Sequence, residues 1–346
     1  RIKDVRSVPI PRTEAGEPDR ETMIKTFREL IAAVKFREEM IAAPLPIHRA
    51  FIRTLELPFT RISQIRQVIA SEAELHVPFP LDQVIIDFWP VMELEGGKTR
   101  VIMAAIKKDV LRRHLELFSE AGIDPGSIGL DLLGLARAYT FRNRLPEDEI
   151  TMLLDLGAVH TGVIFFHSEK ILFLRSFAWG SDTLTKEIMK ELHCGYVAAA
   201  HAFRAGDENK PAVDAAVSRA YQKLETEILR TINSAASVTG GQHPSGLILE
   251  GGLSRHPGFD EYLSGKLGIK LLEVHPLEKG VKGTSDDFPG GACSAYGTAL
   301  NAVFPAVSHI NFRRDEFAYQ GAWKNIKKKL YFTIALALGL TAVLIA

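Results

Sequence analysis

Two stretches of this chain share one design, and together they restrict the fold more than any other feature. Residues 149–156 (EITMLLDL) form an apolar run closed by Asp155 and Leu156, and a loop of small residues follows, from Gly157 to Thr161. Residues 246–250 (GLILE) repeat the design, followed by Gly251, Gly252, Leu253 and Ser254. Short apolar runs bounded by glycine predict strands buried on both faces, which requires cover on either side of the sheet. A small-residue loop leaving the C-terminal end of such a strand can bring backbone N–H groups close to a phosphate. In the first loop Asp155 can hold Mg²⁺ through water, Gly157 permits the reversal and Thr161 offers a hydroxyl. In the second, Gly251 and Gly252 let the chain pass close beneath a nucleotide. Either loop alone is more often a plain turn; their order, with a hairpin and helices between them, carries the signal.

The C-terminal end differs from everything before it. Residues 330–346 (LYFTIALALGLTAVLIA) carry no charge, and Lys324, Lys327, Lys328 and Lys329 stand immediately before them. A bilayer-spanning helix needs about 20 apolar residues, so the run reads as the start of a transmembrane helix that the sequence cuts short. A buried C-terminal core helix is the alternative, but the run is apolar all round and has no polar face for solvent. Juxtamembrane lysines mark the cytoplasmic side and attract acidic lipid heads. Trp323 and Tyr331 sit where interfacial aromatics would lie. The expectation is a cytoplasmic body, one crossing of the inner membrane, and a periplasmic part beyond it.

Between these landmarks the periodicities alternate. Residues 21–36 carry a helical stripe; residues 50–57 read as a strand; Ile62, Ile65 and Ile69 share a helix face before Pro78. Residues 84–92 and 99–106 flank Gly96-Gly97 as a hairpin, and residues 109–121 form a further helix. Residues 50–131 therefore read as a β-α-β-β-α subdomain. Farther on, residues 162–166 and 171–177 read as a hairpin, residues 217–238 as a long helix, and residues 292–303 as a helix of small side chains.

The motifs resemble those of a known family. LLDLGAVHT at 153–161 resembles the second phosphate loop, D-x-G-x-x-x-T, of actin-like ATPases. LILEGGLSRHPG at 247–258 resembles their adenosine loop, in the form found in type IV pilus assembly protein M (PilM). AWGSDTL at 178–184 is similar to the helix start that follows the hairpin, and EAELHVPFPL at 72–81 resembles a segment of the inserted small subdomain. INFRRDEF at 310–317, ahead of the basic stretch, resembles the junction of the type II secretion inner-membrane protein L (GspL). The resemblance implies an α/β fold: an actin-like ATPase (ribonuclease H-like) two-lobed fold with an inserted small α+β subdomain, then a C-terminal transmembrane helix. The expected division is 1–49 for the remainder of the first lobe, 50–131 for the inserted subdomain and 132–312 for the second lobe. A basic juxtamembrane segment at 313–329 and the membrane helix at 330–346 follow.

The resemblance also implies function. ATP with Mg²⁺ would be held by Asp155, Gly157, Thr161, Gly251, Gly252 and Ser254, if nucleotide binding is retained. No D-x-G-x-x-x-x-K pattern, the family's first phosphate loop, occurs in the chain. Phosphoryl transfer depends almost wholly on positioning and charge neutralisation, so a scaffold is expected rather than an enzyme. Leu253, at a position where the family carries glycine, is expected to narrow the space for a base. The implied role is a bitopic scaffold that recruits a GspE-like secretion ATPase to the membrane platform. Its other implied partners are a GspM/PilN-like bitopic protein, a GspF-like platform protein and a second copy of itself. A PilM-like pilus protein that binds ATP and a PilN-like partner is the first alternative. An active actin-like ATPase or kinase is the second.

Composition narrows the field. Lys and Arg number 42 against 42 Asp and Glu, so the basic excess of a nucleic-acid binder is missing. Cys194 and Cys293 are the only cysteines, too few for a disulfide scaffold or a four-thiolate zinc site, and the eleven histidines show no ligand spacing. Ser254 lacks the G-x-S-x-G setting of a hydrolase nucleophile, and His160 reads as a loop residue before it reads as a base.

Overall fold

The apolar run at 150–156 is continuous because both of its faces are covered. It forms the centre of a five-stranded sheet in a computed structural model that describes residues 5–10, 12–13, 16–34, 41–141, 145–205, 210–276, 292–304 and 309–321. In chain order the elements begin with α1 (Arg20–Val34), β1 (Ala42–Leu45), β2 (Phe51–Leu57), α2 (Ile62–Glu74), β3 (Val84–Leu94), β4 (Lys98–Lys107) and α3 (Lys108–Glu120). They continue with β5 (Ser127–Leu130), α4 (Asp131–Thr140), β6 (Ile150–Leu156), β7 (Thr161–His167), β8 (Lys170–Phe177), α5 (Ser181–Leu192), α6 (Tyr196–Ala205) and α7 (Lys210–Ala235). The last are β9 (Gly246–Gly251), α8 (Phe259–Leu267), β10 (Lys270–Leu271) and α9 (Ala292–Val303).

The large sheet runs β10-β9-β6-β7-β8, with β9 parallel to both β6 and β10 and with β6, β7 and β8 antiparallel in turn. Side chains alternate across it as the pleat requires. Met152, Leu154, Val163 and Phe165 enter a core roofed by α5, α7 and α8, where Leu184, Leu224, Ile228 and Leu263 are buried. Leu153, Ile164 and Phe166 enter the opposite core with Leu132, Leu135 and Tyr139 of α4.

The smaller sheet, β2-β4-β3, is antiparallel throughout. Its strands and α2 enclose a separate core of Leu55, Ile65, Ile69, Phe88, Val101 and Met103. Its other face, through Ile85, Ile102, Ala104 and Ile106, joins the core beneath α4. Pro90 is tolerated because β3 is an edge strand, and the register shifts between Pro90 and Met92.

The β-α-β-β-α order predicted for residues 50–131 is present, but the unit ends with α3. Residues 127–130 leave it: β5 pairs in parallel with β1, Ala42 opposite Ser127 and Leu45 opposite Leu130. A four-residue strand has too little pattern of its own; its partner lies more than eighty positions earlier. The helix α4 likewise carries no clear stripe, because Leu132, Leu133, Leu135, Ala136, Ala138 and Tyr139 are buried all round. It crosses α9 at close range: a Cβ on Gly297 would lie 1.7 Å from the carbonyl oxygen of Gly134.

No helix among the described residues is long and apolar enough to cross a membrane. The expected span at 330–346 and its flanking residues Trp323, Lys324, Lys327, Lys328, Lys329 and Tyr331 lie outside the described residues.

Candidate functional site

The two small-residue loops meet at one end of the large sheet, as their strands demand. β6 and β9 are parallel neighbours, with Asp155 opposite Glu250 and Leu156 opposite Gly251. Gly251 has φ +90°, and a Cβ there would lie 2.4 Å from the Leu156 carbonyl oxygen, so only glycine lets the strands leave the sheet this closely. Gly252 has open space above it. Ser254 donates its hydroxyl to the Gly251 carbonyl at 2.8 Å and so braces the loop from within. Leu253 does not narrow the site. It is 4% exposed and turned into the core with Phe259 and Leu263.

The first loop is closed by its own backbone. The Gly157 N–H donates to the His160 carbonyl at 3.1 Å, and the Ser181 and Asp182 N–H groups donate to the Gly157 and Ala158 carbonyls at 3.1 and 2.8 Å. The first turn of α5 is therefore bonded to the loop. Thr161 is fully buried and donates its hydroxyl to the Trp179 carbonyl at 2.8 Å. The hydroxyl that the sequence offers to a phosphate ties β7 to the end of the hairpin instead. His160 stacks flat on His48, ring centroids 3.9 Å apart and planes within 2°. This joins the loop to the turn after β1.

Asp155 projects beside two other acids, Asp131 and Glu250, which were not among the expected site residues. Asp131 opens α4 and accepts the N–H groups of Leu132 and Ile47 at 2.6 and 2.9 Å. Glu250 accepts the Tyr139 hydroxyl at 2.5 Å. Cys293, at the start of α9, has its thiol pushed up by burial, by the charge of Glu250 and by a hydrogen bond to it. Burial, with repulsion from Asp131 and Glu250, pushes Asp155 up to about 7. Burial raises Asp131 to about 6 against its backbone hydrogen bonds. Signals for two of these acids were present in the sequence: Asp131 follows an apolar strand directly, and Glu250 immediately precedes the Gly-Gly pair.

A half-buried aspartate pressed by two carboxylates suits a divalent cation, which would relieve the repulsion. The crowded carboxylate of Asp155 is thus the group that would hold Mg²⁺. The hydroxyls of Thr161 and Ser254 are both committed to backbone carbonyls, those of Trp179 and Gly251. Among the described residues no group of three or more metal-ligating side chains is already drawn together.

A second feature lies where the small sheet and α3 meet β5. Residues 309–319 are laid along the far side of β5. Phe312 donates its N–H to Ile128 at 2.8 Å, and Ile128 donates back to the Asn311 side chain at 3.0 Å. Ile310 and Phe312 are buried. Gly129 lets the Ile310 carbonyl approach to within 3.3 Å of where a Cβ would be. Asp87 of β3 accepts the Asn311 N–H, and Arg314 stands 3.1 Å from the same carboxylate. Arg313 reaches Asp124 at 3.0 Å, and Lys108 of α3 reaches Glu316 at 3.0 Å. The groove thus holds a segment that comes from the far end of the chain.

Comparison with known proteins places the body of the chain in one family. A model of the type IV pilus assembly protein PilM family matches residues 1–284. Among solved structures, a PilM-PilN type IV pilus biogenesis complex superposes with a TM-score of 0.73 at 22% identity, covering 86% of this chain and 90% of the other. The cytoplasmic domain of EpsL, an inner-membrane component of the type II secretion system of Vibrio cholerae, matches with a TM-score of 0.40 at 12% identity, over 85% of this chain and 84% of that one. MreB 5 of Spiroplasma citri bound to AMPPNP matches with a TM-score of 0.41 at 13% identity, over 57% and 65%. The fold is mixed α/β and is shared with the PilM-PilN complex, and the chain belongs to the type IV pilus assembly protein PilM family.

Proposed function

We propose that this chain is a docking scaffold of a pilus or secretion machine: a PilM-like body joined to the start of its own PilN-like partner. The observation that carries this reading is the segment 309–319, gripped by β5, Asp87 and Lys108. The related structure is a complex of PilM with PilN; here a segment of the same chain fills a groove of the body. The basic and apolar residues that follow it would fix the body to the cytoplasmic face of the inner membrane. From there it would recruit the secretion ATPase to the platform protein, with a bitopic partner and a second copy completing the assembly.

The cleft is read as a site that binds Mg²⁺ and nucleotide to set the angle between the lobes, without turnover. What supports this is that the Thr161 hydroxyl, which the motif offers to a phosphate, is spent on the Trp179 carbonyl. An ATPase assay of the full chain in detergent tests it. Turnover at background is expected; turnover that Asp155→Ala abolishes would overturn the scaffold reading and favour an active ATPase.

The L-type scaffold of type II secretion is the second reading, favoured by the INFRRDEF junction and the lysines ahead of an apolar run. Binding of the purified full chain to a type II secretion ATPase, and not to a pilus ATPase, would select it.

A further inference from the structure

A cavity of about 280 Å³ lies outside the cleft, on the flank where α1 and α3 meet the end of β1. Three arginines stand on its wall: Arg20 from α1, Arg49 from the turn after β1 and Arg113 from α3, with the imidazole of His114 beside them. Leu45 and Leu117 belong to its apolar lining, and no carboxylate lines it. The acids nearby are already engaged from outside. Glu120 holds Arg20 with two hydrogen bonds of 2.7 and 2.8 Å, and Asp109 holds Arg113 at 3.0 Å. Both pairs are solvent-exposed and contribute little, so either guanidinium can turn to a stronger anion.

Arg49 has no ion pair or side-chain hydrogen bond among the described residues. Its charge acts on its surroundings: together with burial, the larger cause, it lowers His48, His114 and His160. An arginine held beside imidazoles, with no anion to balance it, is a local excess of positive charge. The planar guanidinium fork matches the oxygens of a phosphate, which three arginines can share. The cavity has the scale of a small-molecule site, and its apolar lining suits an organic group carried by that phosphate.

We propose that this cavity binds a phosphomonoester, with Arg49 as its anchoring charge and Arg20 and Arg113 closing on the phosphate oxygens. The site is distinct from the nucleotide-type cleft and does not depend on the function proposed above. It reaches the cleft through one residue, because His48, next to Arg49, stacks on His160 of the first loop.

The test uses the full chain in detergent micelles, titrated with inorganic phosphate, phenyl phosphate and dihexanoyl phosphatidic acid. Binding is read by calorimetry and by the histidine ¹H–¹³C resonances. Saturable binding is expected, with shifts at His114 and His48, and Arg49→Gln should weaken it at least tenfold. Arg49→Lys should restore only part of the affinity. Arg113→Gln provides a second variant, and unchanged melting of each variant establishes that it is folded. Tighter binding of phenyl phosphate than of the phosphatidic acid assigns a soluble ligand; the reverse assigns a lipid headgroup. Absence of binding to all three probes overturns the proposal. So does binding that survives Arg49→Gln and Arg113→Gln but is lost in Asp155→Asn, which would locate it in the cleft.

Discussion

The carboxylate of Asp87 accepts the backbone N–H of Asn311 at 2.9 Å, joining residues 224 positions apart in sequence. Asp87 is 1% exposed, and Arg314 and Arg66 approach it at 3.1 and 3.5 Å. Burial raises its pKa, while the Asn311 N–H and Arg314 pull it down. One carboxylate therefore connects the inserted subdomain to the segment on which the proposed function rests.

Asp87→Ala should free that segment. Removing one partner of a fully buried charge pair costs roughly 3–5 kcal/mol. The cost here is expected nearer about 2 kcal/mol, because both arginines keep part of their side chains in water. Trypsin cleavage at Arg313 and Arg314 should accelerate in the variant while the body stays folded. Cleavage at the parent rate would mean that Asp87 does not hold the segment.

The acid cluster gives a pH dependence of known sign. Asp155 and Asp131 are raised to about 7 and about 6, whereas unfolded aspartates titrate near ~3.9. Between those values the folded chain keeps protons that the unfolded chain releases, so this contribution to stability is lost as pH rises from about 4 to about 7. Asp155→Asn should therefore melt higher than the parent at pH 8 and at nearly the same temperature at pH 4. Mg²⁺ should raise the melting temperature of the parent at pH 8 and not that of the variant. A variant that melts lower at pH 8 would contradict an uncompensated charge at Asp155.

The crossing of α4 and α9 leaves no room for a methyl group. A Cβ at Gly297 would lie 1.7 Å from the Gly134 carbonyl oxygen, a backbone atom that cannot swing aside. Gly297→Ala should cost about 1–3 kcal/mol, the usual range for overpacking, and calorimetric melting would measure it. Ala295→Gly, on the same helix, is the comparison: it should cost only the helix propensity difference, about 1 kcal/mol. Equal effects of the two would argue against a tight crossing.

The stacked imidazoles should titrate late on acidification. His48 is lowered to about 4 by burial, by His160 and by Arg49, and His160 is lowered by burial and Arg49. A group whose folded pKa is depressed below its unfolded value of about 6.5 favours folding above that pH. That contribution is lost as pH falls from about 6.5 toward 4. Histidine NMR titration should find both groups below the ordinary value, and His160→Asn should move His48 upward. A His48 that titrates at its ordinary value in the parent would remove the stack as a tie between turn and loop.

What the sequence determined by itself is local. The apolar runs at β6 and β9, the glycines at 157, 251 and 252 and the β-α-β-β-α unit were legible, because each is set by period, turn chemistry or motif within a few residues. Tertiary structure decided the rest. It paired β5 with β1 across the inserted subdomain, gathered Asp131, Tyr139, Glu250 and Cys293 around Asp155, turned the Thr161 hydroxyl toward Trp179 and set Asn311 on Asp87. Which partner a polar group finds depends on chain brought in from far away, and on the burial that makes an unpaired charge costly. Neither is written in any short stretch of residues.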